Sequence, residues 1–159
     1  MADRRTPFVN ADERDTLLAF LDYLRESVIV KATGLDADAV RRRLVPSGTN
    51  LLGLVKHLTT SETYWFQRSF AGRDVTIPAD SLDGADTTES VVSAYRDAIR
   101  RNNEIVATAP DLDALSAHHH GKEGPMSLRW VLVHMVEETA RHAGHADILR
   151  EQLDGQTGR

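Results

Sequence analysis

Residues 128–154 carry one uninterrupted helical period, and the period sorts an apolar stripe from a polar column. At about 100° per residue, Leu128, Val131, Met135, Thr139, His142, Ala146 and Leu149 gather on one face of a helix that starts after Ser127 and ends near Gly155. Within Val133–His145, imidazoles and a carboxylate recur at spacings of three and four residues, which places them on one side of the helix. Glu138 lies one turn before His142 on the flank of the apolar face, with His134 and His145 along the same edge. Glu137 falls on the solvent side. A polar column beside an apolar stripe suits a cleft better than a dry core.

The rest of the chain has the same character. Helical periodicity dominates four segments, and strand-like alternation between turns is scarce, so the expected class is all-α. The first helix is expected from Asn10, as a cap with Glu13 reaching back, to about Thr33 before Gly34. A helical turn is expected within 36–44. After Pro46-Ser47-Gly48, Thr49 or Ser47 is the expected cap of a second helix ending near Gly72. The third is expected from a cap at Asp86, with Glu89 three residues on, to Pro110. The connections from Gly72 to Asp86 and from Pro110 to Ser127 exceed what a tight antiparallel turn needs.

A chain of 159 residues with 41% hydrophobic content supports one core, so residues 1–159 are read as a single domain. Its 19 basic and 24 acidic residues are spread along the chain and give a net charge of -5, without the basic footprint that nucleic acid or an anionic membrane requires. Arg4, Arg5 and Pro7 precede no apolar run of signal-peptide type, and a cytoplasmic location is the default expectation. The absence of cysteine removes disulfides, thiolate ligands and a protein thiol nucleophile, so any thiol chemistry here uses an external thiol.

Neutral imidazole and ionised carboxylate are ligands for a borderline divalent cation. His57 lies on the edge of the second helix's stripe of Leu51, Leu54, Leu58 and Trp65, with the small Ser61 one turn on, so it offers a third ligand. Two imidazoles and one carboxylate leave coordination positions open, as in catalytic rather than structural sites. The competing reading is that a Glu-x-x-x-His pair arises by chance and that each histidine is simply hydrogen-bonded. His118-His119-His120 reads as a solvated loop, Arg41-Arg42-Arg43 as a solvated face, and Tyr64, Trp65 and Phe66 as core, with Tyr64 a candidate for the cleft near His57.

Leu54-Val55-Lys56-His57-Leu58 followed by Glu62 and Trp65, together with the run Leu128–Asp147, resembles the DinB-like superfamily of metal-binding four-helix bundles, specifically a branch of small bacterial proteins. The resemblance covers the chain from the first helix to Leu153. It implies an up-down-down-up bundle, a homodimer, and a metal held by His57, Glu138 and His142. Many relatives carry histidine in place of Glu138, whereas mycothiol-dependent maleylpyruvate isomerases pair glutamate with histidine at this spacing. Relatives often follow the last ligand with Arg-Gly-Gln, and here Ala143-Gly144-His145 follows.

The superfamily includes transferases and isomerases that use mycothiol or bacillithiol, with the metal lowering the thiol pKa. The leading expectation is a metal-dependent enzyme that activates such a thiol or a water, a thiol S-transferase or a hydrolase, binding zinc or nickel foremost, or iron(II) or manganese, with a small-molecule thiol or substrate as its partner. His145, His134 and Arg141 are the candidates for handling protons or anionic groups. The alternatives are a non-catalytic or stress-associated metal-binding bundle, in which His145 completes the coordination, and a dimerisation module whose histidines only hydrogen-bond.

Overall fold

The computed structural model describes residues 6–7 and 10–157, so Arg4 and Arg5 lie outside the described residues. The chain is mostly helical with one small hairpin. Its elements are α1 (Glu13–Ala32), α2 (Ala37–Arg41), α3 (Leu51–Glu62) continuing as a π-helical stretch (Thr63–Phe70), α4 (Thr88–Thr108), β1 (Leu115–His119), β2 (Pro125–Ser127) and α5 (Leu128–Asp154). α1 packs chiefly along α5 and α3 along α4, with α3 also touching α1 and α5.

Three caps differ from the sequence expectation by one to three residues. Asp12, not Asn10, starts α1 by accepting from the Asp15 N–H at 2.9 Å. Asn50, rather than Ser47 or Thr49, starts α3 by accepting from Gly53 N–H at 2.9 Å. Thr87 and Ser90, not Asp86 and Glu89, form the capping box of α4. In each case the residue with extended backbone dihedrals is the one whose side chain reaches the free N–H groups of the first turn. Asp86 instead takes the Lys56 ammonium at 2.6 Å. α5 follows its expectation: Ser127 caps it, and Gly155, at φ 76°, closes it in the left-handed conformation that an L side chain would strain.

The histidine triplet is solvated at His118 and His119, as expected, but those two lie in a strand and not in a loop. His118 and His119 belong to β1, which pairs antiparallel with β2 in the register Leu115↔Ser127 and His119↔Pro125. Two strands of five and three residues are too short to show a period of two, and the hairpin is read only in three dimensions.

The core forms two apolar clusters. Val28, Ile29, Leu51, Leu52, Leu58, Tyr95 and Ala146 belong to one. Leu21, Phe66, Ile105, Leu128, Leu132 and Met135 belong to the other. Arg25, Glu62 and Asn102 occupy helical positions between members of the two clusters, and all three are buried. Arg25 grips Glu62 with two hydrogen bonds of 2.6 and 2.7 Å. Asn102 donates to the same carboxylate at 2.7 Å and to the Glu62 carbonyl at 3.1 Å. That second bond falls where α3 widens into the π-helical stretch.

Candidate metal centre

α3 and α5 run side by side close enough for His57 to meet Glu138 and His142, residues one turn apart on α5. Glu138 Oε1 lies 3.0 Å from His57 Nε2 and 3.1 Å from His142 Nε2. One ligand atom from each of the three residues falls within 4.8 Å of the others. The two imidazoles meet edge to face, with ring centroids 4.7 Å apart. The wheel's discrimination between adjacent glutamates has a direct physical counterpart. Glu137 is half exposed and pairs with Arg141, whereas the Glu138 side chain is 14% exposed and turns inward.

A residue that sequence periodicity did not single out supports this arrangement. Asp80, in the connection between the π-helical stretch and α4, lies 2.9 and 3.2 Å from His57 Nδ1. A carboxylate on the outer nitrogen fixes the ring's orientation and raises the basicity of the nitrogen that faces Glu138. Its position in an aperiodic loop left no sequence signal.

The three ionisable groups shift in different directions. Burial disfavours the His57 imidazolium, yet its hydrogen bonds to Glu138 and Asp80 outweigh this and raise its pKa above the ordinary histidine value. Burial dominates at His142 and, aided by the charge of His57 against the opposing pull of Glu138, holds its pKa below that value. Burial pushes the Glu138 carboxyl up, but the two imidazoles more than offset this and lower it. The centre therefore presents an ionised carboxylate and one readily neutral imidazole.

His142 Nδ1 is buried without a hydrogen-bond partner among the described residues, an awkward state for a histidine kept only for structure. The donor set of two imidazole nitrogens and one carboxylate oxygen, converging from two helices, fits a divalent cation.

A cavity of about 810 Å³ opens beside the centre, lined by His57, His142, His145, Arg43, Asp80 and Asp83 among others. His145 is exposed, 5.4 Å from the His142 ring centroid to centroid, and lies outside the convergent donor group. Arg141 holds the second oxygen of Glu138 at 3.3 Å.

His134 is placed elsewhere. It stacks on Trp130 at 5.0 Å and meets Trp65 edge-on at 4.7 Å. Tyr64, the candidate for the cleft near His57, packs on Trp65 and faces His120 instead. His120 stacks on Trp65, lies 2.8 Å from Ser69 Oγ and meets the His118 ring at 5.0 Å, so these two histidines join that aromatic group.

No curated protein matches this chain. Among protein families, residues 16–155 match the one described as Mycothiol-S-transferase, which is DinB-like and agrees with the resemblance carried by the His57 and Glu138–His142 segments. Because that match runs from the first turn of α1 to the residue that closes α5, the chain belongs to the mycothiol-S-transferase family.

Proposed function

We propose that this protein joins the sulfur of a low-molecular-weight thiol of the mycothiol type to an electrophilic small molecule, using a divalent metal held by His57, Glu138 and His142. The observation that carries the reading is the convergence of three donor atoms beside a cavity large enough for a small-molecule ligand. A metal bound there supplies a lowered thiol pKa, and hence a thiolate nucleophile at neutral pH. The cysteine-free chain leaves the nucleophile to the external thiol.

The protein's own residues set the stage. Asp80 orients His57, and Arg141 steadies the outer oxygen of Glu138. His145, exposed at the cavity wall, takes the thiol proton or returns one to the acceptor atom that receives the electron pair as the sulfur–carbon bond forms. His134, packed against two tryptophans, has no part in this step. Zinc or nickel is the preferred ion, with iron(II) and manganese next.

The same reading includes an up-down-down-up bundle of α1, α3, α4 and α5, supported by the pairing of α1 with α5 and α3 with α4. It also includes a cytoplasmic homodimer. Among the described residues no helix is long and apolar enough to cross a membrane.

The test is elemental analysis of protein purified without a metal-affinity tag, followed by cobalt(II) substitution and titration with mycothiol. The wild type should carry about one metal ion per chain and develop a thiolate-to-cobalt absorption band. The Glu138→Ala, His142→Ala double variant should lose both while keeping its helical content. A metal-free wild type would return these histidines to structure alone.

A further inference from the structure

Beside the polar cavity lies a second, smaller one of about 290 Å³, lined by Val45, Ser47, Thr49, His145, Ile148 and Leu149. The two cavities share Ser47, Thr49 and His145, so they form one cleft with a polar and an apolar compartment. Ser47 and Thr49 hydrogen-bond each other at 2.8 Å at the boundary. Beyond them the apolar compartment presents Val45, Ile148 and Leu149 and no ionisable group other than His145. Ile148 is 56% exposed, although it lies one turn along α5 from Gly144 and His145, in the run that supplies the centre's ligands.

We infer that this compartment binds the apolar body of the acceptor molecule. The polar compartment, lined by Arg43, Asp80 and Asp83, suits a hydroxyl-rich thiol, and the apolar one suits a short aliphatic chain or single ring. A volume near 300 Å³ is at the small end of ligand cavities, which sets the size of that group. An acceptor lying across the boundary brings its reactive carbon past His145, beside the metal centre. The inference rests on the transferase reading for the name of the occupant, and on the shared lining residues for its position.

The experiment is methyl-resolved NMR of the full chain, metal-free and zinc-loaded, titrated with 1-butanol, 1-pentanol and 1-hexanol, and separately with myo-inositol. The alkanols should cause saturable shifts at the Val45, Ile148 and Leu149 methyls in both forms. Affinity should rise about four-fold per added methylene, the equivalent of about 0.8 kcal/mol.

Ile148→Glu, at an exposed position, should weaken hexanol at least ten-fold, whereas Ile148→Leu should retain it. Both variants should keep metal stoichiometry and mycothiol binding. Myo-inositol should leave these methyls unmoved. Absence of saturation, affinity independent of chain length, shifts centred on the exposed Trp130 and Val133, or undiminished binding in Ile148→Glu would each overturn the inference. Because alkanol binding is read without metal, its failure is distinct from failure of the metal centre, which elemental analysis reads.

Discussion

Glu62 and Glu138 are both acidic residues set among basic side chains at a helix–helix contact, and they do opposite work. Glu62 is fully buried, and its two oxygens are taken by the Arg25 fork and by Asn102, whose own oxygen receives the Gln67 amide at 3.0 Å. Both oxygens are held within the protein, and only the far side of the Arg25 guanidinium reaches outward, to the partly exposed Asp22 and to Asn103. Glu138 instead offers one oxygen to two imidazoles, one of which has a buried nitrogen without a partner, and the group stands beside a cavity. A carboxylate whose every oxygen is satisfied by buried donors fixes a helix contact. A carboxylate shared by two imidazoles next to a cavity has the donor set that the proposed metal would need.

The largest expected effect breaks the buried network. Glu62→Ala leaves the Arg25 guanidinium buried without its bidentate partner, a change expected to cost about 3–5 kcal/mol of unfolding free energy. Chemical denaturation measures it, and a loss below about 1 kcal/mol would show that the network is not what holds α1 against α3. Where enough Glu62→Ala remains folded, its metal stoichiometry should be unchanged. The open centre should show the reverse pattern. Metal at a hundred times its dissociation constant should stabilise the wild type by about 2.7 kcal/mol. Glu138→Ala should abolish that increment, with a calorimetric melt in chelator and in excess zinc as the comparison.

These two networks were unequally legible in the sequence. Glu138 and His142 stand one turn apart on a helix of strong period, so their common side follows from 3.6 residues per turn, and His57 follows from its place on the edge of an apolar stripe. The Arg25–Glu62 pair joins different helices across 37 positions, and no periodicity reports a partner at that range. Asp80 sits in a loop and escaped for the same reason. His134 shares the polar column on the wheel but leaves the centre, because the long α5 carries it along the axis to Trp65 and Trp130. The caps shifted because Asn10, Asp12, Ser47, Thr49, Asn50, Asp86 and Thr87 all have capping side chains, and only backbone dihedrals choose among neighbours.

A smaller effect sharpens the contrast at the rim of the open centre. Asp80→Asn keeps a hydrogen-bonding group near His57 Nδ1 but removes its charge, and metal affinity should fall about 10- to 100-fold, as measured by competition with a chromogenic chelator. Thermal stability without metal should change by less than about 1 kcal/mol, since the pair is solvent-exposed. An unchanged affinity would leave Asp80 as a surface partner only.

The smallest effect is a matter of pH in the metal-free protein. His57 has a raised pKa, so the stabilisation its charged form provides is complete below the ordinary histidine value and fades as pH rises through the raised value. His142 has a lowered pKa. Its neutral ring is the form that suits the fold, so its contribution is present above the ordinary value and is lost as pH falls through the lowered one. The two contributions oppose each other, and global stability should vary little across this range even though protonation does not. Imidazole NMR separates them: the coupled pair should titrate in two steps, the upper dominated by His57 and the lower by His142. In Glu138→Gln the upper step should move down, because a carboxylate that stabilises the imidazolium has been replaced by a neutral amide. A single step at the ordinary value would mean that the imidazoles do not share Glu138 in solution, and the contrast between the open and buried networks would then rest on geometry that the folded protein does not maintain.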